Sequence, residues 1–199
     1  IEQREHLVDS LSGGRIGYVH VESMDSRSFR KVYSMVFGEN RNKEALVVDT
    51  RFNGGGWLHD DLATMLGGEV YAEFCPRGQF VSREPLNKWA KPSVVVMNEA
   101  NYSDAHGFPY VYKTLKLGKL VGMPVAGTMT AVWWENQIDP SIVFGIPQVG
   151  VKDMDGNYLE NQELQPDIKV NNDPNSMSEG RDLQIEAAVK ELLRQIDKK

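Results

Sequence analysis

At 199 residues and 41% hydrophobic content the chain is long enough to bury one substantial core, so one compact domain is the expected count. Lys and Arg number 22 against 28 Asp and Glu, a formal net charge of −6, and no Lys/Arg cluster interleaves with aromatics, which excludes a basic nucleic-acid-binding face. Cys75 stands alone, excluding an intrachain disulfide and a thiolate metal cluster, and no stretch approaches the apolar length of a membrane span.

The lead, Ile1 to Arg15, is polar, lacks a signal-peptide pattern and turns at Ser12-Gly13-Gly14; starting without Met, the chain is expected to be a mature protein or an excised piece. Arg15 to Val21 alternates as a strand does. Asp25 or Ser26 caps a helix with Phe29, Val32, Tyr33, Met35 and Val36 on one face, ending near Gly38. Ala45 to Thr50 is a continuous apolar run ending in Asp49, the pattern of a central parallel strand covered on both faces. A helix follows from Leu58 to Leu66, stopped by Gly67-Gly68, and Glu69 to Phe74 reads as another strand. After Lys91-Pro92, Ser93 to Asn98 repeats the buried-strand pattern and leads through a turn into a helix from about Asp104 to Leu115. Leu120 to Val149 is expected to hold short strands, Asp153 to Asn157 a hairpin-type turn, and Asn171 to Ser178 a mobile loop. Ile185, Ala188, Val189, Leu192, Leu193 and Ile196 mark a closing amphipathic helix. Two strand, loop, helix units argue for an α/β layered fold, whose sites sit beyond the carboxyl ends of the strands.

Two loops are candidates for chemistry. In Arg51-Phe52-Asn53-Gly54-Gly55-Gly56-Trp57 three glycines leave bare backbone N–H groups beside a strand end, suited to an anion or a developing oxyanion, or equally to a tight turn. Ser103 lies just before a helix, where its hydroxyl is either a nucleophile with the Asp104 N–H aimed at the carbonyl it attacks, or an N-cap. Of the four histidines, His106 reads as a helix surface residue and His6, His20 and His59 as structural, although His59 follows the glycine loop closely enough to approach a ligand. HExxH, GxxxxGK[ST] and GxSxG do not occur. Glu160 is either a carboxylate that orients a base or a solvated surface acid, and Trp57, Trp133 and Trp134 read as packing.

Together, Gly17 to Val21, Leu46 to Gly56, Asn98 to Pro109, Gly122 to Thr128, Leu159 to Asn161 and Gln165 to Val170 resemble the catalytic core of the S41 serine peptidases, most closely its tricorn branch. The resemblance implies a crotonase-like or ClpP-like α/β layered fold with a central β-sheet flanked by helices, in a core domain spanning 15–199 after a linker or residual upstream segment, 1–14. By resemblance Ser103 is the nucleophile, the N–H groups of Gly56 and Asp104 form the oxyanion hole, and Glu160 completes the charge relay. The processing branch of the family uses a Ser/Lys dyad instead. Here Ala126-Gly127-Thr128-Met129 stands where that lysine is expected, and Lys116 and Lys119 lie before it, which favours the tricorn-like mechanism. The base of that mechanism is a histidine from a helical region ahead of a PDZ-like domain, and both regions are expected to be absent from this chain. Peptide or unfolded-protein substrates, assembly into a homo-oligomer and no metal or organic cofactor are implied. Export is implied if the source is bacterial, and work inside the cell if it follows archaeal tricorn. The rival classes are a crotonase-like acyl-CoA enzyme and a non-catalytic peptide-binding module.

Overall fold

The computed structural model describes residues 1–198. Its centre is a five-stranded, all-parallel sheet of β1 (Ile16–His20), β2 (Ala45–Asp49), β5 (Ser93–Met97), β6 (Lys119–Gly122) and β9 (Ile168–Lys169), adjacent in that order. Between β1 and β2 runs α2 (Ser26–Phe37), after β2 comes α3 (His59–Leu66), and between β5 and β6 runs α4 (Asp104–Thr114). Because strand side chains alternate between faces, Leu46 and Val48 pack with Val32, Val36, Leu62 and Phe108 beneath α2, α3 and α4, while Ala45 and Val47 face the opposite way. There they meet Val8 of α1 (Glu2–Ser12) and Ile185, Ala188, Val189 and Leu192 of α6 (Leu183–Ile196). Each fully buried Val, Leu or Ile of these two layers contributes about 1.5–3 kcal/mol of hydrophobic free energy, which explains why the inner strands are unbroken apolar runs.

Two antiparallel ribbons stand outside the sheet: β3 (Ala72–Phe74) with β4 (Ser82–Glu84), and β7 (Ala131–Asn136) with β8 (Val143–Val149). The layered crotonase-like or ClpP-like arrangement expected above is therefore corrected. Among the described residues there is a single open parallel sheet, and β3 with β4 and β7 with β8 pair off as separate ribbons instead of adding to it. The short strands expected within 120–149 are there as β6, β7 and β8, and most side chains of 131–149, Trp133, Trp134 and Phe144 among them, are exposed.

Local signals account for most helix ends. Asp25, rather than Ser26, caps α2 by accepting from the Ser28 N–H at 2.7 Å. The polar lead, read as a linker, forms α1, closed by Gly13 in the left-handed conformation. The segment read as a mobile loop contains α5 (Pro174–Ser178), started by the Asp173 carboxylate on the N–H groups of Asn175 and Ser176 with Pro174 in the first turn.

One polar cluster lies inside this apolar frame. The Arg51 guanidinium, 2% exposed, donates Nε to Asp49 Oδ1 at 2.9 Å and Nη2 to Asp49 Oδ2 at 2.7 Å. Its Nη1 reaches Asp182 Oδ1 and Gln184 Oε1, each at 2.9 Å, and Tyr18 donates its hydroxyl to Asp49 Oδ2 at 2.8 Å. Asp182 in turn caps α6 through the Ile185 N–H. Burial pushes the Asp182 carboxyl up, but hydrogen bonding and charge from Arg51 outweigh it, so its pKa falls below the usual carboxylate range. Replacing Arg51 by Met leaves Asp49 and Asp182 buried without their main counter-charge, and urea unfolding at pH 7 is expected to show a loss of about 3–5 kcal/mol. Since the depressed carboxyl stabilises the fold above its unfolded pKa, the wild-type advantage should shrink as pH falls through the acid range; an advantage constant down to low pH would contradict the ion-pair account.

Candidate functional site

β2 and β5 are parallel neighbours, Val47 opposite Val94 and Asp49 opposite Val96, so the loops leaving their carboxyl ends emerge side by side. The loop after β2 is Thr50 to Leu58, and the loop after β5 is Asn98 to Ser103. A lattice of buried amides joins them. The Asn101 side chain donates to Thr50 Oγ1 at 2.9 Å and to the Ala105 carbonyl at 3.1 Å, Asn98 Oδ1 accepts from the Phe52 N–H, and the Asn53 carbonyl accepts from the Tyr102 N–H. Asn53 also donates to the Val21 carbonyl and accepts from the Gly55 N–H, tying the loop to the end of β1 as well.

Glycine is required where the loops touch. At Gly55, with φ +94°, a Cβ would lie 2.7 Å from both the Ser103 Cβ and the Tyr102 carbonyl oxygen. At Gly56, with φ +141°, it would lie 2.2 Å from the Met24 carbonyl oxygen. The glycine run is thus pressed between the serine loop and the strand-like segment at Met24, which accepts from the Trp57 N–H and donates to the Gly55 carbonyl. Neither the Gly56 N–H nor the Asp104 N–H has an acceptor among the described residues.

Ser103 itself has φ +56° and ψ −122°, a conformation costly for a residue with a Cβ and one found where surrounding structure enforces it. Its N–H donates to Thr128 Oγ1 at 2.9 Å and its carbonyl accepts from His106. Although it occupies the N-cap position of α4, its hydroxyl makes no capping bond, which removes the plain capping reading. Ser103 borders a cleft of about 450 Å³ lined also by Gly54 to Trp57, Asp104 and the start of β7, with Trp57 and Trp134 in its rim. Both tryptophans are exposed, so the packing role read from sequence is corrected for them.

Asp104 contributes more than its amide. Its carboxylate accepts from the N–H groups of Leu58 at 2.5 Å and His59 at 3.1 Å and from His59 Nδ1 at 2.5 Å, capping α3 from across the cleft floor. The hydrogen bond to Asp104 holds the His59 pKa above its ordinary value, against the opposing effect of burial. Nothing in the sequence pairs these residues, 45 positions apart. Glu160 is half-buried and accepts from the Thr130 N–H through Oε2 at 2.9 Å, which places it under the first residues of β7.

The histidines divide differently from the sequence reading. His106 is not on the surface: it is 1% exposed, its Nδ1 has no partner, and burial depresses its pKa, partly countered by the Glu160 charge. His20 directs Nε2 at the Arg51 carbonyl, 3.4 Å away, and His6 is exposed on α1. No imidazole among the four has a hydrogen bond to the Ser103 hydroxyl.

The site can therefore present a hydroxyl beside two free amides. Residues 15–170 match the family model for Peptidase family S41. Tricorn protease of Thermoplasma acidophilum is 27% identical over 197 residues, covering 98% of this chain and 18% of its own length. A putative tricorn-like protease C-terminal subunit of Sulfurisphaera tokodaii is 28% identical over 207 residues, covering all of this chain and 23% of its own. The crystal structure of the tricorn protease superposes with a TM-score of 0.86 at 26% identity, over 99% of this chain and 19% of that one. The chain thus spans about a fifth of the length of these relatives. The fold is of the S41/tricorn peptidase type, which overturns the crotonase-like or ClpP-like assignment. With the family model spanning both loops, the serine and the glycine run included, this chain belongs to peptidase family S41.

Proposed function

We propose that the chain supplies the nucleophile, oxyanion hole and relay carboxylate of a serine peptidase acting on peptides or unfolded proteins. The observation that carries this reading is the strained Ser103, its hydroxyl free of any capping bond, lining a cleft together with the glycine run that packs against it. Ser103 Oγ attacks the scissile carbonyl while a base takes its proton, and the N–H groups of Gly56 and Asp104 hold the oxyanion. The C–N bond breaks with protonation of the leaving amine, and water hydrolyses the acyl-enzyme. Glu160 orients the base through Oε1, since Oε2 is occupied by Thr130. An acyl-CoA enolate chemistry makes no use of a strained serine, so the peptidase reading accounts for more of the site.

The base comes from outside these residues, because His20 and His59 are engaged elsewhere, His106 is buried in the first turn of α4, and His6 lies on α1. On this proposal residues 15–199 are the catalytic core and 1–14 its lead, and a further region or another subunit completes the site.

A fluorophosphonate probe, with mass spectrometry of the adduct, is expected to modify Ser103 in a longer natural chain containing this one and to leave the 199-residue chain nearly unlabelled. Adduct formation at a different serine would sink the assignment. In the longer chain Ser103→Ala should cost at least about 10³-fold in kcat/KM and Glu160→Gln up to about 10⁴-fold. Gly55→Ala forces a Cβ onto Ser103 and should lower both stability, by about 1–3 kcal/mol, and probe labelling. A Gly55→Ala protein with unchanged melting and labelling would show that the two loops are not in contact.

A further inference from the structure

The Asp104 carboxylate is an unusual neighbour for an oxyanion site. Its backbone N–H has no acceptor among the described residues and the residue lines the cleft, yet its own side chain carries a negative charge that repels any anion held by that amide. The carboxylate is turned away and fully engaged, by the N–H groups of Leu58 and His59 and by His59 Nδ1 at 2.5 Å. Leu58 and His59 begin α3 directly after the glycine run, so these three bonds clamp the end of the glycine loop to the start of α4. The clamp and the contact of Gly55 with Ser103 together set the distance between the two candidate oxyanion donors.

His59 is the one titratable member of the clamp besides Asp104. It is half-buried, its ring meets the Trp57 indole edge-on with centroids 5.3 Å apart, and Trp57 lines the cleft. The charged groups acting on it are Asp104 from α4 and Asp60 and Asp61 of its own helix, all negative. A protonated imidazole there forms a charge-assisted bond to Asp104 and cancels its charge; a neutral imidazole keeps at most a weaker bond and leaves the carboxylate charge uncompensated. Resting on the peptidase reading above, we propose that His59 is a positioning residue of the oxyanion hole, acting through the Asp104 carboxylate, and that its protonated form is the competent one. The raised pKa of His59 keeps that form populated above the usual titration range of histidine. In the complete enzyme the base must be neutral, so the His59–Asp104 pair defines the alkaline limb of the pH profile.

A peptidyl boronic acid tests this without requiring turnover. Its boron forms a bond to Ser103 Oγ, the hydroxyl proton passes to buffer, and the resulting tetrahedral boronate anion places an oxygen where the oxyanion sits. Affinity is measured from about pH 6 to about pH 9 for the wild type, Ser103→Ala and His59→Asn, the asparagine amide standing in for a neutral Nδ1–H. Wild type should bind about tenfold more tightly than His59→Asn at the acid end, with the ratio falling toward one as His59 deprotonates. By linkage, the His59 imidazole pKa, followed by NMR in the wild type, should rise when the boronate binds. Abolished binding in Ser103→Ala combined with a pH-independent wild-type to His59→Asn ratio and an unmoved imidazole pKa overturns the role of His59 and leaves the peptidase reading intact. Binding that survives Ser103→Ala removes the peptidase reading and the role of His59 with it. Should His59→Asn fail to fold, the wild-type imidazole titration alone decides: a rise supports the proposal and no change overturns it.

Discussion

The buried Arg51 guanidinium is the interaction on which the site end of the molecule depends. An unpaired ion in the interior costs several kcal/mol, so a buried arginine persists only where its donors are met, and here Asp49, Asp182 and Gln184 meet them from two different elements. That requirement joins Arg51, just past the end of β2, to Asp182 at the N-cap of α6, across 131 positions of sequence. It also fixes the first residue of the glycine loop. Whatever Phe52 to Trp57 do, they start from an immobile point.

From that anchor the site is built by register. In a parallel sheet, neighbouring strands end together, and two loops that leave β2 and β5 side by side must either compete for space or share it. Asn53, Asn98 and Asn101 let them share it by pairing the backbone groups that the strands leave behind. The glycines permit approach to within contact of Ser103, and the lattice is stiff enough to hold that serine at positive φ. Strain at one residue is thereby paid for by many satisfied polar groups around it.

Much of the regular structure was legible. Ala45 to Thr50 and Ser93 to Asn98 have no polar face, and a strand without a polar face must be covered on both sides, as α2 to α4 and α1 with α6 cover them. The Asp25 cap and the period of α6 were equally readable, since each depends on residues within one or two turns. The short strands expected within 120–149 are present as β6, β7 and β8, but the sequence did not show that β7 and β8 pair with one another away from the sheet with Trp133, Trp134 and Phe144 exposed. Composition reports what a segment is willing to bury, and the neighbours available decide whether it is buried. The same limit misplaced His106, whose surface reading followed from its position near a helix start, whereas the segments at 129 and 160 close over that turn.

For the site, local sequence determined which atoms were on offer: bare amides in Gly54 to Gly56, a hydroxyl at Ser103, a carboxylate at Glu160. It also determined the family, because that particular set of segments recurs in order along the chain. Tertiary structure alone decided between roles that the residue types left open. The Ser103 hydroxyl is free and not a cap, Gly55 is a contact and not merely a turn, and the Asp104 side chain belongs to the helix that follows the glycine loop. The physical reason is distance along the chain: capping and turn formation are settled within a few residues, while the pairing of residue 55 with 103, or of 59 with 104, exists only once two strands lie side by side and bring their ends to one edge of the sheet.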